Sequence, residues 1–197
     1  MEASYREFLE KTANSYCTKA DEYNNRANAM MELGRYIEAQ RDYNRACSLA
    51  PDEPIFFLNR AGLFIRLGMT NSAFDDAIEA RLLIGDGSVE HLDNLLQLST
   101  IFKKCNSLNL AAETLLNFLK LLKSIIPYTV KDSEGGYKIR KDNKTIHTSN
   151  LADLDDVKTL LKAIREDKAC EEDMQLISLI EEIEREYANC EWLTVKD

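Results

Sequence analysis

Residues Ala20–Glu53 read ADEYNNRANAMMELGRYIEAQRDYNRACSLAPDE, and residues Pro54–Gly87 read PIFFLNRAGLFIRLGMTNSAFDDAIEARLLIGDG. The two stretches are 34 residues long and superimpose without a gap. Ala27 falls opposite Ala61, Leu33-Gly34 opposite Leu67-Gly68, Ala39 opposite Ala73 and Ala46 opposite Ala80. Large residues also repeat, with Met30 opposite Phe64 and Tyr23 opposite Phe57. Self-similarity at this period means stacked supersecondary units that share one continuous core.

Each unit has the pattern of two antiparallel helices. Small residues at Ala27, Ala61, Ala39 and Ala73 let the helices approach closely, and Tyr23, Phe57 and Tyr43 fill the space beside them. Gly34 and Gly68 end each first helix, where a left-handed residue closes the turn. Pro51 cannot continue a helix and separates the first unit from the second. A third, degenerate unit is read at Leu92–Ile125 after a shift of four residues, with Leu95, Ser99, Phe102, Ala111, Leu115 and Phe118 at the expected places. Asn106 stands there for the glycine, and Asn is the next best left-handed residue. A third unit is also what stability requires, because two stacked hairpins seldom bury enough surface.

This pattern resembles the tetratricopeptide repeat. Tyr23, Ala27, Met30, Gly34, Ala39, Tyr43, Ala46 and Pro51 carry the resemblance in the first unit, and Phe57, Ala61, Phe64, Gly68, Ala73 and Ala80 in the second. The second unit departs from the pattern at Ala77, where an aromatic is usual, and in lacking the proline. The resemblance implies an all-α fold, a right-handed α-solenoid of helical hairpins.

Around residues 20–126, which hold the three hairpins, the flanks have other patterns. Residues 1–19 place Tyr5, Phe8, Leu9 and Tyr16 near helical spacing, which suits an N-terminal helix packed on the first repeat. Residues 127–150 break the helical pattern. There Tyr128-Thr129-Val130 and Tyr137-Lys138-Ile139 flank a turn-rich Asp132–Gly136, which fits either a β-hairpin or an irregular insertion. Residues 151–197 have two apolar seams, Leu154, Val157, Leu161 and Ile164, then Met174, Ile177, Ile180, Ile183 and Tyr187. They are expected to form an acidic αα-hairpin, with Asn150 as N-cap and a turn near Ala169, that caps the end of the solenoid. The last helix is the one place where the pattern also fits weak dimerisation.

Composition agrees. The 197 residues contain only 7 Gly and 3 Pro, which excludes a turn-dense β sandwich, and 45% hydrophobic residues, enough for a core. The net charge of -9 disfavours nucleic acid as a partner. That charge is uneven: residues 151–197 carry 14 acidic against 6 basic side chains. No readable signal peptide and no 18-residue apolar run occur, so a cytoplasmic location without membrane insertion is expected. The five cysteines are scattered and form no CxxC pair, so free thiols are expected. The Asn143-Lys144-Thr145 sequon is read as a chance match.

Catalytic constellations are missing. No GxGxxG, GxxxxGK[ST] or GxSxG occurs, and His91 and His147 belong to no metal-binding spacing. Asp153, Asp155 and Asp156 lack the glycine and distal glutamate of a calcium loop and read as first-turn carboxylates. No catalytic residue, metal or cofactor is therefore expected, and the protein is not read as an enzyme.

Binding is the better expectation. In a tetratricopeptide solenoid the first helices line a concave groove. The residues expected there are Asn24, Asn25, Asn28 and Met31 in the first unit, and Leu58, Asn59, Gly62 and Arg66 in the second. The third offers Gln97, Thr100, Lys103 and Lys104. Asn side chains both donate to and accept from a peptide backbone, and Arg66, Lys103 and Lys104 attract an acidic segment. The peptide-contacting set is accordingly Asn24, Asn28, Met31, Asn59, Arg66, Gln97 and Lys103. Co-chaperones of the family hold a chaperone's C-terminal carboxylate with two Lys, two Asn and one Arg. Asn28 and Asn59 match the two asparagines, whereas Asn24, Asp93 and Gln97 stand at the cationic positions. Without its cations such a clamp has no charge-assisted bond for a carboxylate. Asn28 and Asn59 are thus either ordinary helix surface or retained peptide contacts. The expected role is a non-enzymatic adaptor binding a partner's peptide segment, as in co-chaperone or complex assembly. The alternative is a structural or regulatory module of a larger protein, docking through its convex face or C-terminal hairpin.

Overall fold

The computed structural model describes residues 3–85, 91–125, 129–131, 137–141, 144–148, 154–167 and 173–190. The chain divides into two compact units, Met1–Leu83 and Ile84–Asp197. The first holds α1 (Ala3–Ala13), α2 (Ala20–Glu32), α3 (Tyr36–Leu49), α4 (Pro54–Arg66) and α5 (Thr70–Ile84). The second holds α6 (Leu92–Lys104), α7 (Leu108–Ile125), β1 (Thr129–Lys131), β2 (Tyr137–Lys141), β3 (Lys144–Thr148), α8 (Leu154–Arg165) and α9 (Met174–Cys190). The fold is of the all-α tetratricopeptide type. The same hairpin recurs three times, as α2–α3, α4–α5 and α6–α7, and the register read at Leu92 is the one the helices adopt.

Each hairpin closes at the predicted small residues. Ala27 and Ala39, Ala61 and Ala73, and Ser99 and Ala111 are all fully buried. Burial of a hydroxyl in the third pair requires a partner, and Ser99 Oγ donates to the Ala111 carbonyl at 2.6 Å. Tyr43 and Leu115 fill the neighbouring space, and Ala77 leaves the second hairpin its smallest filling.

The turns between paired helices share one geometry. Gly34, Gly68 and Asn106 have φ of 77°, 71° and 60°. In each turn the left-handed residue donates its amide three residues back, to Met31, Ile65 or Lys103, at 3.0–3.1 Å. The next residue donates to Met30, Phe64 or Phe102 at 2.8–2.9 Å. These are the two bonds of a Schellman motif, and they satisfy carbonyls that the helix end would otherwise orphan.

One repeated interaction was not legible in advance. Arg26 Nε and NH2 donate to Asp42 at 2.6 and 2.8 Å, and Arg60 makes the same bidentate pair with Asp76 at 2.8 Å for both bonds. Each guanidinium also lies over the aromatic ring three residues before it, Tyr23 at 5.3 Å and Phe57 at 5.5 Å. The remaining nitrogen reaches back, Arg26 NH1 to the Ser15 carbonyl at 2.7 Å and Arg60 NH1 to Asn44 Oδ1 at 2.9 Å. One side chain therefore pins its own hairpin and ties it to the preceding segment. In the third hairpin the equivalent residues are Leu98 and Thr114, both buried, so packing replaces the ion pair there.

The flanks bring corrections. In α1 it is Leu9 and Ala13 that join the core of Ala27, Met30, Ala39 and Tyr43. Tyr5, Phe8 and Tyr16 are 48%, 61% and 88% exposed, because the face of α1 that meets α2 is set by Leu9 and its neighbour one turn on. In α9, Met174 is 77% exposed and Leu176 takes its place in the seam with Ile180 and Ile183. Within 127–150 the described residues form a three-stranded antiparallel sheet in the order β1-β2-β3. Thr129 pairs with Ile139 and Lys131 with Tyr137, while β3 adds the pairs from Tyr137–Thr148 to Lys141–Lys144. β3 was not foreseen; its Lys-Thr-Ile-His-Thr sequence alternates but has no large apolar run to mark it. Asn150, Ala169, the sequon's Asn143, Cys170 and the side chain of Tyr187 lie outside the described residues.

Two glycines six residues apart should respond oppositely to alanine. Gly68→Ala places a Cβ at φ +71°, with nothing within 4 Å, so only the left-handed backbone penalises it. It should cost roughly 1 kcal/mol. Gly62→Ala, also in open space within α4, should gain about 0.5–1 kcal/mol from helix propensity. Native-state hydrogen exchange of α4 amides reads both signs.

Candidate functional site: the inner helix faces

In the first unit α2 and α4 lie side by side. Two rungs join them. Asn59 Nδ2 donates to Asn24 Oδ1 at 2.9 Å near one end, and Arg66 NH2 donates to Glu32 Oε1 at 2.9 Å near the other. Asn24 and Glu32 are two turns apart on one helix, about 12 Å. Asn28 and Met31 sit between the rungs, and Gly62 is the repeat equivalent of Asn28 on α4. Beyond its own helix backbone and chain neighbours, nothing lies within 4 Å of where a Gly62 side chain would begin, so α4 is open at the repeat equivalent of Asn28. A glycine there lets another backbone approach closely.

Asn28 is held from behind. The fully buried Tyr43 of α3 donates its hydroxyl to Asn28 Oδ1 at 2.5 Å, and the hydroxyl oxygen lies 3.8 Å from Met31 Sδ. Burial pushes the Tyr43 phenol well above its usual range, so it remains a donor at any physiological pH. With Oδ1 occupied, the Asn28 amide presents Nδ2, a donor, as its remaining hydrogen-bonding end. A residue chosen for core packing thus also fixes the polarity of a surface amide.

The first unit brings together five of the residues expected to contact a peptide: Asn24, Asn28, Met31, Asn59 and Arg66. Two details differ from expectation. Leu58, placed on the groove by spacing, is fully buried, and Asn24 is 6% exposed and engaged by Asn59. The helices turn both positions inward, Asn24 onto Asn59 of the neighbouring repeat. Arg66 is not a spare cation, because Glu32 neutralises it. That pairing was readable in the repeat itself, since Glu32 and Arg66 are equivalent positions of opposite charge.

Gln97 and Lys103 belong to the second unit. With Leu96 and Thr100 of α6 and Leu160 and Ala163 of α8 they line a groove of about 630 Å³. Lys103 Nζ bonds Asp167 Oδ2 at 3.2 Å, at the end of α8. Lys104 is exposed on the rim, and Asp93 lies toward the opposite end of α6, its carboxyl raised by burial. The sequence pattern placed these cations on the groove and missed that α8 supplies one of them with a carboxylate.

Nucleophilic and metal chemistry find no support among the described residues. Burial pushes the Cys47 thiol up to about 11 and raises that of Cys105. Both are free thiols that stay protonated at neutral pH, opposite to an activated nucleophile. Among the described residues, no group of three or more His, Cys, Asp or Glu is placed to hold a metal ion. No described helix is long and apolar enough to cross a membrane.

Tyr43→Phe should remove about 1 kcal/mol of stability. It should also free the Asn28 side-chain amide, which slows or averages in wild type and variant differently. The check is the Asn28 NH₂ resonance pair, well separated in wild type and collapsing toward the solvent-exposed position in Tyr43→Phe.

The family model described as the tetratricopeptide repeat matches residues 20–53, the α2–α3 hairpin with its closing proline. Over 62 residues the chain is 37% identical to the small glutamine-rich tetratricopeptide repeat-containing protein 2 of Mycosarcoma maydis. The match covers 32% of this chain and 18% of that relative's length. Among solved structures, the Sgt2 tetratricopeptide domain from Aspergillus fumigatus is similar at a TM-score of 0.50 and 20% identity, over 78% of this chain and 84% of that one. BtubC from P. vanneervenii is similar at 0.54 and 15% identity, over 95% and 72%. At these identities the structural likeness is one of fold. Repeat register, left-handed caps, matched family model and related chain agree on one point: residues 20–53 match a tetratricopeptide repeat, and the chain has the fold of tetratricopeptide-repeat structures.

Proposed function

We propose that the protein is a non-enzymatic adaptor that holds an extended segment of a partner protein on the inner face of α2 and α4. The observation that supports this most is the oriented Asn28 amide on α2, with open space at its repeat equivalent Gly62 on α4. A donor held in place beside a gap in the side-chain layer suits a peptide carbonyl, and Met31 offers an adaptable apolar contact next to it. With Arg66 satisfied by Glu32, recognition rests on backbone hydrogen bonds more than on a terminal carboxylate. The co-chaperone type of tail binding therefore has less in its favour than capture of an internal segment during complex assembly. Gln97 and Lys103 extend the same role to the α6 face of the second unit. A cytoplasmic location fits such a role.

A second reading draws on Ile37 and Leu82 of α3 and α5, each 71% exposed. Docking through these second helices would make the chain a structural or regulatory module of a larger assembly. Peptide arrays separate the two. Asn28→Ala, Asn59→Ala and Arg66→Ala together should weaken captured peptides by at least tenfold, while Ile37→Ser with Leu82→Ser leaves them unchanged. Binding that survives the triple variant, with helicity intact, would overturn the inner-face site.

A further inference from the structure

Helix α1 is apolar over a wider sector than it buries. Leu9 and Ala13 enter the core, whereas Tyr5 is 48% exposed and Phe8 61%. At about 100° per residue, Phe8 stands more than a quarter turn round the helix from Leu9. Tyr5, Phe8 and Thr12 therefore follow one another at helical spacing as a second stripe beside the buried one. Two large aromatic side chains adjacent on an exposed helix face are the kind of apolar patch that marks an interaction surface.

Charge decides what can cover the stripe. The chain carries -9, so two copies repel wherever their acidic surfaces meet. Helix α1 is balanced instead, with Arg6 and Lys11 against Glu7 and Glu10. Glu10 already lies 4.0 Å from Arg35 of its own chain. Glu7 and Lys11 are exposed at the border of the stripe, one turn apart, and make no ion pair among the described residues. A strongly acidic or strongly basic helix would meet one like charge there. A helix with the same two charges in the opposite direction meets none, because each Glu7 then comes toward the other copy's Lys11. Laid parallel, the same helices would set like charges together.

We infer that α1 is a homodimer contact, pairing antiparallel with α1 of a second copy across a two-fold axis near Phe8. Tyr5 and Phe8 of each copy pack against Phe8 and Thr12 of the other, the reciprocal contact that two-fold symmetry imposes. The contact is three turns or about 16 Å long and small for a stable interface, so its dissociation constant is on the order of 10–100 μM. Helix α9 is the poorer surface for this. Leu176, Ile180 and Ile183 are buried within its own unit, and Met174 is the one large apolar residue left exposed among its described side chains. The dimer contact goes beyond the peptide-binding reading and does not depend on it. A joined pair carries two inner faces, which gives avidity for a partner with two segments.

Sedimentation equilibrium of the full chain from about 10 μM to about 1 mM tests the contact. A monomer–dimer equilibrium is expected, weakened about fivefold by Phe8→Ser or Tyr5→Ser and lost when both are changed. Lys11→Glu should weaken it about threefold, and adding Glu7→Lys should restore it. Met174→Ser, and the Asn28, Asn59 and Arg66 triple variant, should associate like the wild type. Isotope-filtered NOEs between labelled and unlabelled copies should join Phe8 to Tyr5 and Thr12. A monomer at every concentration, or a dimer indifferent to Phe8→Ser with Tyr5→Ser, would overturn the inference. So would a dimer lost in Met174→Ser, or one that Glu7→Lys fails to restore in Lys11→Glu. The four substituted α1 side chains are exposed, so unchanged circular dichroism and melting separate a lost contact from a lost fold.

Discussion

The fold depends on the close approach of two antiparallel helices at residues that have almost no side chain. Ala27 against Ala39 and Ala61 against Ala73 allow backbones nearer than any leucine would, and all four are fully buried. A larger residue at any of them would overpack the hairpin, at a cost of typically 1–3 kcal/mol. Everything nearby is arranged around that contact. Tyr43 reaches across the hairpin because the helices are close, so its hydroxyl arrives at Asn28 on the other face. Arg26 and Arg60 reach Asp42 and Asp76 across the same narrow gap. Both ion pairs are mostly shielded from solvent, with side-chain exposures from 9% to 21%, so truncating either member would strand a desolvated charge.

The inner face follows from the same constraint. Helices separated by one repeat, α2 and α4, are held by residues at equivalent positions, Glu32 with Arg66, or at adjacent ones, Asn24 with Asn59. These rungs fix the spacing of the face without occupying its middle. Asn28 and Gly62, equivalent in the repeat but opposite in size, leave one donor and one gap. Drift between repeats, which weakens the family pattern, is what makes a site here. The third hairpin drifts further: a buried leucine replaces the arginine, a serine replaces an alanine, and the α6 face gains its own partner in α8.

Much of this was legible in the sequence, for identifiable reasons. Helix pairing and turn positions were readable because small residues and left-handed glycines have few substitutes; even Asn106 was identifiable, since Asn is the next residue to tolerate φ near +60°. The acidic and basic partners of the repeat were not, although both pairs recur at one spacing, because exposed charges and buried ion pairs look alike in a string. The direction in which Tyr5, Phe8 and Met174 point was misjudged for a related reason. Aromatic and apolar residues near helical spacing define a face only to within one residue, and the neighbouring helix chooses among them. The candidate site was partly readable: residue types and positions were, and so was the Glu32–Arg66 pair, but not Tyr43 as the group that orients Asn28, nor the Asp167 carboxylate that satisfies Lys103.

The account stands most directly on the claim that Asn28 and Met31 touch a bound segment. Side-chain amide and methyl NMR spectra of the full chain, recorded while adding the tightest peptide from an array, would test it. The Asn28 NH₂ pair and the Met31 methyl should shift at the lowest peptide ratios, with the Ile37 methyls unmoved. Shifts confined to Ile37 and Leu82, with Asn28 and Met31 unchanged at saturation, would contradict it.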